Sequence, residues 1–211
     1  MAVKNPSQKN MVVSVMMSMP NFAGWELKAT GDTYIFVKNG EAQQSGIINN
    51  YCAVALVMGS TEAKDPRLLG QFALAAERIE GARITYYSAF DAQGSGSEVW
   101  SSFAQTGDLS NVSQSSVDGE EQAGAIAVKV TLKPGEQKII SFAFAWDLPN
   151  DYRNKKEFKK YYVAPYDIDG WDATRIAFDA LQARAQWSNK IDQWQAKITS
   201  AQNNMPGFLK T

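Results

Sequence analysis

Two acidic groups in the sequence have the residue types that hydrolytic chemistry requires. The first is Asp91 and Glu98, which lie at the two ends of a segment rich in glycine and serine, residues 92–97. Acid–base hydrolysis by carboxylates needs two of them across a cleft, one kept protonated by its surroundings. The pair is more typical of a turn that leads into a short helix containing Trp100. We therefore predict a structural role for both residues and no catalytic residue.

The second acidic group surrounds Gly170 and contains Asp167, Asp169 and Asp172. Its spacing is similar to the start of a calcium-binding loop, but the later glutamate that binds calcium through both oxygens is missing. Carboxylates here are also typical of a solvated turn before a helix, because negative charge is favoured beside the amino end of a helix. We predict the turn, and no metal site.

The composition narrows the remaining routes to catalysis. The chain has no histidine, which removes the usual general base, the commonest metal ligand and every Ser–His or Cys–His arrangement. The one cysteine, Cys52, begins an apolar run and is predicted to be a buried, unreactive thiol. We predict no cofactor, and no chemistry by this chain alone.

Aromatic side chains offer a different kind of binding. The six tryptophans and eight tyrosines could stack on sugar rings, as in carbohydrate-binding modules. Trp146, Trp187 and Trp194 follow apolar periodicities, which indicates the core or an interface. Trp25 and Trp100 are near predicted loops and are the candidates for exposed sugar stacking.

Charge and hydropathy limit the partners and the location. With 21 basic and 22 acidic residues, the formal net charge of −1 provides no field that would attract a phosphate backbone, so nucleic acid is excluded as a partner. No segment approaches the roughly 20 apolar residues that span a bilayer, and residues 1–7 contain no apolar signal region. The sequence predicts no transmembrane segment and a cytoplasmic location.

Most of the chain has the pattern of short strands. Apolar segments bounded by Gly, Asn, Asp or Pro predict strands at residues 11–19, 33–37, 46–48, 52–58, 72–77 and 82–89. The strongest hairpin signal is the exposed turn at Pro134 and Gly135, between predicted strands at residues 125–132 and 138–146. Phe144 and Trp146 in the second strand are predicted to lie in the core. The pattern predicts a mostly β protein, an antiparallel β-sandwich.

The last part of the chain changes to a helical period. From about Trp171 to Thr199, apolar residues recur every three or four positions, which predicts one long helix after the sandwich. Its stripe includes Leu181, Trp187, Ile191 and Trp194 and is too apolar to remain in solvent. We expect this helix to run along the sandwich or to bridge to a neighbouring domain.

A series of motifs runs through the chain in a defined order. The motifs are VSVMMSMPN (13–21), GQFALAA (70–76), TYYSAFD (85–91), GSEVW (96–100), GDL (107–109), FAFAWDLP (142–149) and PGFLKT (206–211). Their order and spacing over about residues 11–211 resemble the N-terminal domain of glycoside hydrolase family 116. This family contains bile-acid β-glucosidases, also called non-lysosomal glucosylceramidases.

The resemblance implies a retaining, two-domain β-glucosidase or glucosylceramidase in which a β-sandwich packs on a catalytic (α/α)6 barrel. The catalytic carboxylates of such an enzyme lie in the barrel, so none is assigned to this chain. Residues 1–166 would form an incomplete sandwich and residues 167–211 a helical linker toward a barrel supplied in cis or in trans. The implied partners are that barrel and a β-glucoside or glucosylceramide bound by the whole enzyme. The apolar stripe of the helix separately predicts that the isolated chain self-associates.

The same resemblance places the helix between sandwich and barrel. We therefore expect Leu181, Trp187, Ile191 and Trp194 to form an interface, with one part packed on the sandwich and the other part left for docking. Family members have further sequence before the strand at residues 13–21, and a sandwich short of strands would expose its edges and part of its core. The alternative function is a free carbohydrate-binding or protein-interaction module.

Overall fold

The computed structural model describes residues 1–24, 26–30, 33–37, 43–60, 62, 66–114, 121–153, 156–167 and 169–199. Strands and helices are numbered along the chain. The larger sheet is antiparallel, in the order β11 (Phe142–Asp147), β7 (Gly70–Glu77), β6 (Ala53–Ser60) and β5 (Gln43–Asn49). Its central strands alternate between larger residues on the inner face and alanines on the outer face. Because of this alternation, both faces of the sheet are apolar, but one carries large side chains and the other carries small ones.

The second sheet has three antiparallel strands in the order β2 (Met11–Pro20), β9 (Gln122–Leu132) and β8 (Arg83–Asp91). Its central strand β9 is buried along almost all of its length. Val54 and Leu74 of the larger sheet pack against Ile126 and Val128 of the smaller one. The predicted antiparallel β-sandwich is therefore confirmed, with its core between these two sheets.

Three two-stranded ribbons complete the β structure of the described residues. They are β1 (Ala2–Lys4) with β10 (Gln137–Ile139), β3 (Glu26–Thr30) with β4 (Thr33–Val37), and β12 (Asn150–Arg153) with β13 (Lys156–Lys159). Short 3-10 turns lie at Pro66–Leu68 and Tyr161–Val163. The strand predicted at residues 33–37 has the observed bounds, whereas β1, β3, β12 and β13 were not predicted.

The predicted hairpin at Pro134 and Gly135 is correct as a turn and wrong as a pairing of two strands. Glu136 N–H donates to the Lys133 carbonyl over 3.0 Å, which closes the turn. The chain before the turn is the centre of the smaller sheet, while the chain after it forms β10 and then β11 at the edge of the larger sheet. The N-terminal segment explains this, because β2 pairs with β9 and β1 pairs with β10.

The prediction that Phe144 and Trp146 lie in the core is also wrong. Both side chains are on the inner face, since they pair with Leu74 and Phe72, yet they are 49% and 51% exposed. Among the described residues, their strand β11 is the edge of a four-stranded sheet that faces a sheet of three strands. The inner face there extends past its cover, so these rings remain half in solvent.

In the described part of the chain, two α-helices cover the outer faces of the sandwich. α1 (Ser97–Thr106) contributes Val99 to a cluster with Ala125 and Ala127 of the smaller sheet. α2 (Ala173–Thr199) lies on the outer face of the larger sheet and confirms the long helix predicted for about residues 171–199. No helix within the described residues is long and apolar enough to cross a membrane.

Candidate interface surface

The outer face of the larger sheet is made of small side chains, which lets a helix approach closely. Ala53, Ala55, Ala73, Ala75 and Ala145 form one buried cluster with residues of α2. The helix contributes Ala173, Ala177 and Leu181, so small residues meet small residues along most of the contact. The first half of α2 is thereby fixed on the sandwich, and Leu181 is the largest buried side chain that it places there.

The start of α2 is held by a buried carboxylate at the end of β11. Asp147 is fully buried and accepts hydrogen bonds from the Asp172 backbone N–H at 2.9 Å and from the Tyr162 hydroxyl at 3.1 Å. Burial raises the pKa of the Asp147 carboxyl above its ordinary value, an effect that these two hydrogen bonds oppose. Asp147 thus connects the sandwich, a 3-10 turn and the helix.

An ion pair marks the last contact between α2 and the sheet. Arg184 Nη2 lies 3.2 Å from Glu77 Oε1, at the end of β7. Every residue of α2 from 185 to 196 is exposed. The second half of the helix therefore extends away from the sandwich.

This exposed half carries a continuous apolar stripe. Trp187, Ile191 and Trp194 are spaced by four and then three positions, which places them on one side of a helix. They are 49%, 53% and 63% exposed. Large apolar groups that are exposed together on a protein surface are typical of an interaction site. We call these three residues the helix stripe.

A comparison with known families fits this architecture. A family described as beta-glucosidase 2, glycosyl-hydrolase family 116 N-term, matches residues 1–187. The chain belongs to this family. The match includes the whole sandwich and the packed half of α2, and it ends at the first residue of the helix stripe.

In this family 116 N-terminal domain, the first acidic group forms a turn. Glu98 accepts a hydrogen bond from the Asp91 backbone N–H at 3.0 Å, and Asp91 accepts one from Gln93 N–H at 2.9 Å. The short helix predicted around Trp100 follows as α1. Both carboxylates are thus occupied in organising the turn before a helix, as expected for a structural role.

The second acidic group is also organised by backbone hydrogen bonds. Asp172 accepts from Asp167 N–H at 2.5 Å, Asp169 accepts from Trp171 N–H at 3.0 Å, and the Asp172 carbonyl accepts from Ile176 N–H in the first turn of α2. Among the residues that the structure describes, no three His, Cys, Asp or Glu side chains are close enough to hold a metal ion. These carboxylates form the turn before the helix, as predicted.

The two candidates for sugar stacking have different outcomes. Trp100 lies on α1, is 59% exposed, and its ring centroid is 5.9 Å from that of Phe103. Trp25 lies outside the described residues. An open tryptophan face is therefore present at Trp100, while sugar binding by either residue stays a prediction.

Sequence reasoning missed the polar residues that hold α2 in place. Asp147 and Tyr162 were not singled out, although a lone aspartate that ends an apolar strand is an unusual choice unless it is hydrogen-bonded. Cys52 is half-buried and not fully buried as predicted. It lies in a turn before β6, where its Sγ donates to Asn50 Oδ1 over 3.0 Å. The helix stripe, by contrast, was visible from its spacing.

Proposed function

We propose that this chain is the non-catalytic N-terminal β-sandwich of a retaining β-glucosidase or glucosylceramidase. Its role is to support a catalytic (α/α)6 barrel and to dock onto it, either in the same polypeptide or between chains. The observation that carries this proposal is the division of α2 into a half that packs on the sandwich and a half that presents the helix stripe to solvent.

The energetics of the helix stripe favour a permanent partner. Fully burying an aromatic side chain removes about 150 to 250 Å² from water, so covering two half-exposed tryptophans and an isoleucine contributes several kcal/mol. The packed half of α2 lowers the entropic cost of docking, because the helix is already ordered before a partner arrives. In the proposed enzyme, the barrel covers the helix stripe while residues 167–211 connect the two domains.

The proposal is tested by binding to a separately expressed family 116 catalytic barrel. The wild-type chain should bind the barrel in calorimetry, and the double variant Trp187→Ala/Trp194→Ala should bind at least about tenfold more weakly. Trp100→Ala is the matched control, since it removes an exposed helical tryptophan from the opposite sheet. Equal affinity for both variants would contradict docking through the helix stripe. Glucoside hydrolysis by the purified chain would contradict the non-catalytic role.

One observation favours the second candidate function, a carbohydrate-binding module. Trp100 lies on α1, directly after the turn at Asp91 and Glu98, and is 59% exposed, so its ring is accessible for stacking on a sugar. Glycan-array binding by the isolated chain, lost in Trp25→Ala or Trp100→Ala and kept in Trp194→Ala, would favour this function over docking.

A further inference from the structure

One side of the sandwich is closed by a segment of the chain itself. The Gln114 carbonyl accepts hydrogen bonds from the Ser45 hydroxyl of β5 at 3.0 Å and from the Ser88 hydroxyl of β8 at 2.8 Å. Val112 forms a parallel bridge to Tyr87. The segment around residues 111–114 therefore lies along the edge of β8 and ties the two sheets together.

Within the part of the chain that the structure describes, no further strand closes the opposite side of the sandwich. Because β5 lies over β8 and β7 over β9, the strands β11 and β2 form this other side. Among the described residues, β11 pairs only with β7 and β2 only with β9. Met17 pairs with the core residue Ile126 and so faces inward, yet it is 42% exposed. Phe144 and Trp146 likewise face inward and are about half exposed.

The backbone of β11 presents hydrogen-bonding groups at this opening. Glu77 N–H donates to the Ser141 carbonyl at 3.0 Å, so position 141 and every second residue after it pair with β7. The N–H and C=O groups of Phe142, Phe144 and Trp146 then point to the free edge. The residues with half-exposed rings are thus the same ones that offer backbone groups to another strand.

Just before β11, the chain already pairs with another strand, β1, on the side that faces away from β7. Ile140 N–H donates to the Met1 carbonyl at 2.8 Å, and the Met1 ammonium donates to the Ile140 carbonyl at 2.7 Å. β1 runs antiparallel to this part of the chain, with Ala2 opposite Ile139. A strand in line with β1, placed beyond Met1, would lie beside Phe142 to Trp146.

From this geometry we infer that the edge of β11 binds an extended strand of a partner polypeptide. The strand runs antiparallel to β11, in line with β1, and inserts alternate apolar side chains between the sheets beside Met17, Phe144 and Trp146. Backbone hydrogen bonds provide the affinity of such strand addition, and the pockets for alternate side chains provide its specificity. Residues 142–146 contain no charge or proline of the kind that protects a solvent-facing edge.

The size of the opening favours one strand over a second copy of the chain. Met17, Phe144 and Trp146 together expose roughly 300 Å², judged from their exposed fractions, whereas each side of a standard protein interface buries about 800 Å². This area fits a single extended segment. The inference is separate from docking through the helix stripe, which lies on a different part of the molecule.

The test uses the whole chain and a synthetic peptide of about eight residues in which threonine and valine alternate. Added peptide should slow hydrogen exchange at the amides of Phe142, Phe144 and Trp146 by at least about tenfold. A matched peptide, N-methylated at the positions that face β11, should give no protection. Phe144→Lys should abolish binding of the first peptide, while Trp100→Lys and Trp194→Lys should leave it unchanged.

Three results would overturn the inference. The first is equal protection by both peptides, which would show that backbone pairing is not used. The second is protection of these amides in the isolated chain that increases with protein concentration, which would make a second copy the occupant. The third is no protection even when the threonine–valine sequence is fused before Met1, where its effective concentration is in the millimolar range.

Discussion

The Tyr162 hydroxyl donates a hydrogen bond to the buried carboxylate of Asp147 over 3.1 Å, and it accepts one from the Leu148 backbone N–H over 2.8 Å. Burial, followed by the nearby charge of Asp147, raises the pKa of the Tyr162 hydroxyl, which keeps it protonated as a donor. This single ring therefore connects the 3-10 turn to the end of β11, directly beside the start of α2. The stability of the junction depends on the protonation state of Asp147.

The first prediction concerns pH. Because the folded-state pKa of Asp147 is raised, its contribution to stability is fully present below the ordinary pKa of about 3.8 and is lost as pH rises through the folded pKa. Asp147→Asn cannot ionise, so the wild type should lose stability relative to this variant as pH rises from acid to neutral. Urea unfolding at several pH values measures the difference. Asp192→Asn, on the exposed half of α2, controls for the loss of one charge, and a difference that does not vary with pH would refute the prediction.

A glycine beside the same junction should be irreplaceable. Gly70 has a φ of 145°, and a Cβ there would overlap the backbone carbonyl oxygen of Asp147. Gly70→Ala should therefore cost more than about 2 kcal/mol of unfolding free energy, through strain and displacement of β11. Gly46→Ala, in β5, is the control, because its nearest atom is Val57 Cγ1 at 3.8 Å and its φ is ordinary. Thermal unfolding that ranks the two variants equally would contradict this.

Asn5 should contribute far more to stability than its position near the N-terminus suggests. It is fully buried, and its side-chain amide donates to the carbonyls of Lys9, Leu132 and Lys133 at 2.7 to 3.0 Å. Asn5→Ala removes all three of these buried or part-buried hydrogen bonds, so we expect a loss of about 2 to 4 kcal/mol in chemical denaturation. Asn10→Ala, which lies outside this cluster of bonds, should change stability by less than about 0.5 kcal/mol. A small effect of Asn5→Ala would mean that water replaces the amide.

Substitutions along α2 should have opposite effects in its two halves. Leu181→Ala removes a buried side chain and should cost about 2 to 5 kcal/mol. Trp187→Lys with Trp194→Lys should leave the unfolding free energy within about 1 kcal/mol, because both rings are exposed. The double variant should also abolish concentration-dependent self-association of the wild type in sedimentation. A wild type that is monomeric at all concentrations would argue against self-association through the helix stripe.

The half-exposed position of Phe144, which the sequence had placed in the core, gives a further prediction. A packed phenylalanine costs about 3 to 5 kcal/mol when truncated, but half of this ring is already in water, so Phe144→Ala should cost about 1 to 2 kcal/mol. Ile126→Ala, at a fully buried position of β9, should cost about 2 to 5 kcal/mol. Urea denaturation of both variants gives the comparison. A larger loss for Phe144→Ala would show that the edge is covered in solution.

Local patterns predicted the elements better than their partners. The strand β4 and the helix α2 were predicted correctly because alternation and helical periodicity depend only on residues close together in the sequence. Pro134 and Gly135 do form a turn, but turn chemistry does not determine which strand pairs beyond it. The strand that pairs after the turn is Ala2–Lys4, more than a hundred residues away. This strand is too short for its sequence pattern to predict it.

The candidate interface shows the same limit. The spacing of Trp187, Ile191 and Trp194 identified an apolar stripe, but only the packing of Leu181 shows where the covered part of the helix ends. The face of Phe144 was predictable from alternation, whereas its exposure depends on the number of strands in the opposite sheet. Such properties arise from tertiary structure and have no local signature.

The alanine face under α2 has a mechanical consequence for the far end of the helix. A larger residue at Ala73 or Ala145 would lift the packed half, and a straight helix transmits that change to its tip. Residues 177 and 194 are separated by about 25 Å at 1.5 Å per residue, so a tilt of about 5° displaces Trp194 by about 2 Å. Side-chain size on one sheet face therefore sets the angle at which the domain presents its tryptophans, and a volume change at a buried alanine could misalign a surface that it never touches.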